Sequence, residues 1–417
     1  MKYYSSIMNS STTRDEDVQH TCSEDIIDDY DNPLPSSSSS GSRLDASGPA
    51  DAKFCHNLLK VELHAHLHGS IRNDTLLDLS NKNGCKKFLL EDVLLKGADR
   101  RTLKDCFYIF DQIHGAVKYL EDLERITVEC LDDFARDNVV YLELRTTPRV
   151  LKVSGSEDDA TKEDYVRFLL CTISKWRDRQ STNKSGGVVM DARVLLSIDR
   201  RGSLKDALNT VNLVQKINNP LIVGIDLGGN PTVGRGEFKC RYLPALQLAR
   251  SLGIKLTVHS AEVWDDDGVD EINDILKFSP ERVGHLVCIT KDQLQLFLDS
   301  PKRPSIEICL TSNLKTRPEL FNCISNHPLR NIIQTMQLSC ADTNATSICI
   351  CTDDCGVFQS TLSNEYEKAA IALKLSRIRL GAIALSAVDG IFADDSAKHD
   401  LRTLLRDQMN KITKFLQ

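Results

Sequence analysis

The run Lys60–Ser70, KVELHAHLHGS, sets histidines at 64, 66 and 68 into an otherwise apolar stretch. In a strand, residues two apart point to the same face. His64 and His66 therefore offer two imidazoles from one rigid platform, as a metal-binding pair does. An exposed strand carries the same spacing without chemistry, so the pair needs partners. Those partners follow later apolar runs: His259 and Glu262 in HSAE, Gly284-His285, Thr311-Ser312-Asn313 and Thr352-Asp353-Asp354. His64, His66, His259 and one of the two aspartates supply the N and O donors that a catalytic zinc takes. Such a centre makes water a nucleophile at neutral pH. Glu262, three residues past a ligand histidine, suits a general acid that does not bind the metal. His285 is placed to polarise or deprotonate the water. The second aspartate is placed to orient water or substrate.

These groups need elements that bring them together. Apolar runs over Lys60–His66, Val139–Arg145, Asp191–Ser197, Leu221–Asp226, Lys255–His259, Arg282–Val287, Ser305–Leu310 and Ser347–Cys351 read as strands buried on both faces. Between them lie segments of helical period. Leu120, Leu123, Ile126, Cys130, Leu131 and Phe134 share one stripe, and Thr161–Asp164 forms a cap ahead of Val166, Leu169, Leu170 and Ile173. Leu204–Ile217 and Tyr242–Leu252 are similar. Strands alternating with helices predict a (β/α)8 TIM barrel, whose chemistry gathers at the C-terminal strand ends. A doubly wound open sheet is the alternative, but no GxGxxG follows an early strand.

Composition narrows the class. The chain has 417 residues, 41% hydrophobic and 27% charged, as in a soluble globular protein. No apolar run approaches a membrane span, and the N-terminus lacks the apolar core of a secretory signal. The 14 cysteines form no paired framework, which fits reduced thiols in a cytoplasmic protein. Cys349, Cys351 and Cys355, close to the aspartate pair, read as small buried residues. Residues 1–52 hold ten acidic and three basic side chains, which accounts for the whole-chain net charge of −7. With a serine run at 36–40, this stretch predicts a disordered tail ahead of a catalytic domain over 53–417. The neutral remainder offers no basic face for nucleic acid.

The set HxH, HxxE, GH, SN and TDD resembles the adenosine/AMP deaminase family of zinc amidohydrolases. VELHAHL-x-GS, LELR-x-TPR, GIDL-x-G and CTDD-x-GVF are most similar to its adenosine deaminase-like branch, which acts on N6-methyl-AMP. The resemblance implies one zinc per chain, held by His64, His66, His259 and Asp353. It makes Glu262 the proton donor to the purine ring, His285 the assistant to the attacking water, and Asp354 its orienter. Gly229 lets the purine approach the backbone. His66, His68, His114, Thr146, Thr147, Pro148 and Arg149 are assigned to the nucleotide, with Arg149 as a phosphate fork. The implied reaction converts N6-methyl-AMP to IMP and methylamine in a monomer with a small-molecule purine nucleotide as its partner. Alternatives are an adenosine deaminase and an inactive barrel that serves as a binding protein.

Two departures from the family pattern stand out. His68 replaces the usual Asp or Asn, and Pro318–Thr346 replaces a shorter segment carrying His-His-Phe.

Overall fold

Eight parallel strands stand side by side in chain order. They are β1 (Lys60–His66), β2 (Val139–Thr146), β3 (Asp191–Asp199), β4 (Ile222–Gly228), β5 (Lys255–Ser260), β6 (Arg282–His285), β7 (Ser305–Ile308) and β8 (Ile348–Ile350). Helices fill the connections, as parallel pairing requires. The computed structural model describes residues 48–85, 103–183, 188–317, 320, 323–328 and 346–414. Residues 1–47 and most of the departure at 318–346 lie outside the described residues.

The seam between the first and last strands closes at the metal-type residues themselves. His66 N–H donates to the Asp353 carbonyl at 2.9 Å, and Asp353 N–H donates to the His64 carbonyl at 2.8 Å. The result is the (β/α)8 barrel that the strand pattern predicts. Inside it run buried charges rather than an apolar plug: Glu62, Glu143, Arg145, Asp226, Arg282 and Glu307 are all fully buried. The apolar core lies between strands and helices. The helix Leu204–Ile217 is representative. Ser203 and Asp206 form its capping box, and Ala207, Val211, Val214 and Ile217 face the sheet.

Two strands stop earlier than their apolar runs. β6 ends at His285 because His285 and Leu286 take left-handed φ values of 65° and 53°. β7 ends at Ile308 because the helix Leu310–Thr316 begins at once. The ordered body also starts before residue 53. Asp51 caps the helix Ala52–Asn57 and pairs with Arg377 at 2.7 Å, and Arg377 N–H bonds the Gly48 carbonyl. A tail boundary at 52 therefore falls inside packed structure.

Candidate metal and catalytic centre

β1 delivers His64 and His66, β5 delivers His259, β6 delivers His285, and Asp353 follows β8. One donor atom each from His64, His259, His285 and Asp353 lie within 4.8 Å of one another. His66 Nε2 joins them, at 3.3 Å from both His259 Nε2 and Asp353 Oδ1. His64 Nε2 lies 3.0 Å from His259 Nε2 and 3.5 Å from Asp353 Oδ1. Five side chains with nitrogen or carboxylate donors thus converge on one point. His285 and Asp353 both hold φ near 65°, a costly conformation for residues with a Cβ. Their strained backbones turn the side chains into the barrel mouth.

The back sides of the rings decide which nitrogen is free. His64 Nδ1 donates to Glu307 Oε2 at 2.8 Å. His259 Nδ1 faces the Leu227 carbonyl and Asp226 Oδ1, each at 3.0 Å. All these partners are oxygens, so each ring donates from Nδ1 and turns its Nε2 inward. Metal-binding histidines are held in this way. His285 is the opposite case. Its Nδ1 accepts from the Asn313 amide at 3.2 Å, which leaves the proton on Nε2. A protonated Nε2 donates a hydrogen bond and does not ligate. The donor set therefore fits a metal held by His64, His66, His259 and Asp353, with His285 beside it. Ser312 Oγ donates to Asp353 Oδ2 at 2.7 Å, leaving Oδ1 for the centre.

The two aspartates are driven apart. Burial raises both carboxyls, but the surrounding histidines hold Asp353 well below the usual range. Burial and the Asp353 charge hold Asp354 well above it. Asp354 Oδ1 is buried without a partner and lies where a Cβ on Gly69 would stand, at 1.6 Å. Any larger residue at 69 would displace it. Glu262 is 6% exposed, and burial together with Asp353 pushes its carboxyl up to about 8. Its Oε2 lies 3.8 Å from His285 Nε2.

A cavity of about 840 Å³, counting its open mouth, lies over these groups. Its walls include His66, His68, His114, Thr146, Thr147, Gly229, Glu262, His285, Asp353 and Asp354. Gly229 has φ of +91°, and a Cβ there would meet Asp199 Oδ1 at 2.8 Å. Pro148 and Arg149 stand outside the wall. Arg149 Nη2 donates to the His114 carbonyl at 3.2 Å, and its Nη1 is buried without a partner. His68 packs edge-on against His114, and its buried Nε2 has no partner.

Several participants were given no role in the strand-end reading: Glu307 and Arg145 inside the barrel, Asp226 at the end of its run, and Phe107, Phe110 and Arg201 in the wall. His327 is another. It lies in the segment that departs from the family pattern, is buried, and bonds Asn313 Oδ1 at 3.2 Å. A lone carboxylate within each apolar run, in GIDLGG and SIEICL, was the available signal for Asp226 and Glu307.

Comparison with known proteins follows the same lines. A family model described as adenosine deaminase matches residues 59–408. An N6-mAMP deaminase of Arabidopsis thaliana is 37% identical over 367 residues, covering 84% of this chain and 97% of its own. The N6-methyl-AMP deaminase of Homo sapiens is 32% identical over 362 residues, covering 85% and 94%. The crystal structure of Arabidopsis ADAL complexed with IMP superposes with a TM-score of 0.71 at 35% identity, covering 85% of this chain and 98% of that one.

Proposed function

This chain belongs to the adenosine deaminase family and is a deaminase, and we propose that it hydrolyses N6-methyl-AMP to IMP and methylamine with the help of one zinc ion. The carrying observation is Glu262: a carboxyl pushed up to about 8 faces the same cavity as the converging histidines and Asp353. A group protonated at neutral pH and set beside metal-type donors is what acid-assisted addition of water to a purine ring needs. The nucleotide part of the reading draws on relatives that act on N6-methyl-AMP and on the related structure that holds IMP.

In this reading zinc is held by His64, His66, His259 and Asp353. When bound, zinc supplies Lewis acidity that lowers the pKa of a water from 15.7 to about 7. The chain's own groups do the rest. Glu262 gives its proton to the purine ring nitrogen next to C6 as the water oxygen bonds to C6. His285, with its proton on Nε2, donates to the oxygen as charge develops there. Of the two roles open to His285, polarising or deprotonating the water, the Asn313 contact favours the first. Asp354, its carboxyl held well above the usual range, lines the cavity beside Gly69 and serves to orient the water or the substrate. Of the water's two protons, one then passes to the leaving nitrogen and the other returns to the Glu262 carboxylate; the C6–nitrogen bond breaks, methylamine leaves, and C6 becomes a carbonyl. Fixed donors of this kind usually supply much of the rate enhancement.

The sugar and phosphate extend toward His68, His114 and Thr147. Both His68 Nε2 and Arg149 Nη1 are buried without a partner, so both are offered to the phosphate, with Arg149 also bonded to the His114 carbonyl. A cytoplasmic setting suits the chain. The described cysteines are all unbridged, and no helix among the described residues is long and apolar enough to cross a membrane.

The reaction is tested by mass spectrometry in ¹⁸O-labelled water. The reading expects one labelled oxygen in IMP and an equal amount of methylamine. No IMP from zinc-loaded protein would exclude it.

A further inference from the structure

Arg145 lies at the centre of the barrel with no exposed surface. A buried guanidinium is costly unless its donors are matched by charge. Here they are matched by two carboxylates from different strands. Nη1 meets Asp226 Oδ1 on β4 at 3.0 Å, and Nη2 meets Glu307 Oε2 on β7 at 2.5 Å. Nη2 also donates to the Leu63 carbonyl on β1 at 2.9 Å.

Each of these two oxygens has a second task. Glu307 Oε2 accepts from His64 Nδ1, and Asp226 Oδ1 faces His259 Nδ1. One planar guanidinium therefore grips the particular oxygens that fix the rings of two of the metal-type histidines. Its contact with Leu63 also anchors the backbone just before His64. We propose that Arg145 is a positioning residue that locks Glu307 and Asp226 together, so that His64 and His259 present their Nε2 atoms to a single metal ion. The inference rests on the metal reading given above.

A second buried arginine provides the internal contrast. Arg282 holds the other oxygen of Glu307: its Nε meets Oε1, which also accepts from Thr257 Oγ1 at 2.8 Å. The rest of Arg282 is devoted to structure. It pairs with Glu143 at 2.7 Å, donates to the Gly390 carbonyl at 2.8 Å and stacks on Phe392. Both arginines neutralise Glu307, yet only Arg145 touches the oxygen that faces His64. Shape matters as well as charge, because a lysine amine cannot span two carboxylates as a fork does.

The test measures zinc affinity by competition with a chelator, alongside melting of the metal-free protein. The variants are Arg145→Lys, Arg145→Gln, Glu307→Gln, and the double variant Arg145→Gln/Glu307→Gln. Loss of a residue that orients metal ligands typically costs about 10–100-fold in affinity. Arg145→Lys, which keeps a buried cation and is the variant most apt to fold, is expected to weaken zinc binding by about tenfold or more. The double variant is expected to lose no more than the worse single variant, since the two residues act as one unit. Arg282→Lys is expected to lower the melting temperature while zinc affinity changes far less. Wild-type zinc affinity in folded Arg145→Lys would overturn the role of Arg145. So would additive losses in the double variant, or equal zinc losses for Arg282→Lys. Wild-type protein that takes up no zinc would instead overturn the metal reading itself.

Discussion

Glu262 Oε2 and His285 Nε2 face each other at 3.8 Å in the wall of the cavity. Neither needs to bind the metal, so their roles separate from those of the ligands. Glu262→Gln is expected to keep zinc and lose about 10²–10⁴ in kcat. Metal analysis of the purified variant checks this, and loss of zinc would mark Glu262 as a ligand.

The same carboxyl sets a pH dependence. Glu262 is pushed up to about 8, so its proton is in place below that pH and is lost as pH rises through it. A dication held by the neighbouring histidines would draw the value down. The kcat profile is therefore expected to fall on an alkaline limb with its midpoint at or below about 8. A profile flat to pH 9 would contradict Glu262 as the acid.

His327 reaches His285 through Asn313, with contacts of 3.2 Å on either side. His327→Phe removes the group that fixes the Asn313 amide. It is expected to lower kcat by about tenfold, within the range for partners of site residues, with zinc retained. Nitrogen NMR of the His285 ring would show a mixture of tautomers. An unchanged ring and unchanged kcat would leave His327 a packing residue only.

At the other end of the cavity, His68→Ala is expected to cut kcat/KM for the monophosphate by about 10–100-fold, given roughly 1.5–3 kcal/mol for a hydrogen bond to a charged group. Rates on the nucleoside should change little. Arg149→Ala should have an effect of the same order, because its buried Nη1 is likewise without a partner. Kinetics on both substrates decide, and equal losses on the monophosphate and the nucleoside would mark the residue as structural.

Two truncations test the domain boundary. Removing residues 1–47 is expected to leave the melting temperature unchanged. Removing 1–52 also deletes the Asp51 cap and its pairing with Arg377. A lost cap costs about 0.5–2 kcal/mol, so melting should fall by a few degrees. Equal melting for both would place the boundary at 52.

The barrel was legible because parallel strands buried on both faces leave continuous apolar runs. Lys60–His66 matches β1 at both ends. The strand-end rule likewise led to His259, Glu262, His285 and Asp353. It failed wherever a side chain acts across the barrel. Arg145 meets partners 81 and 162 residues away, and nothing local to LELR announces them. Arg149 follows the same strand, and its contact with the His114 carbonyl, 35 residues back, has no local signal either. His285 lies at a strand end, yet only the orientation of Asn313 separates a donor from a ligand. That distinction depends on hydrogen bonds, which leave no periodic mark in sequence.

The central claim is that a zinc-loaded form of this chain removes methylamine from a nucleotide. The most direct measurement compares kcat/KM for N6-methyl-AMP, AMP and adenosine on one protein preparation, before chelation, after it, and after zinc is restored. The account predicts that N6-methyl-AMP is the best of the three, that chelation abolishes turnover, and that zinc restores it. Faster turnover of adenosine, or full activity in the chelated protein, would contradict it.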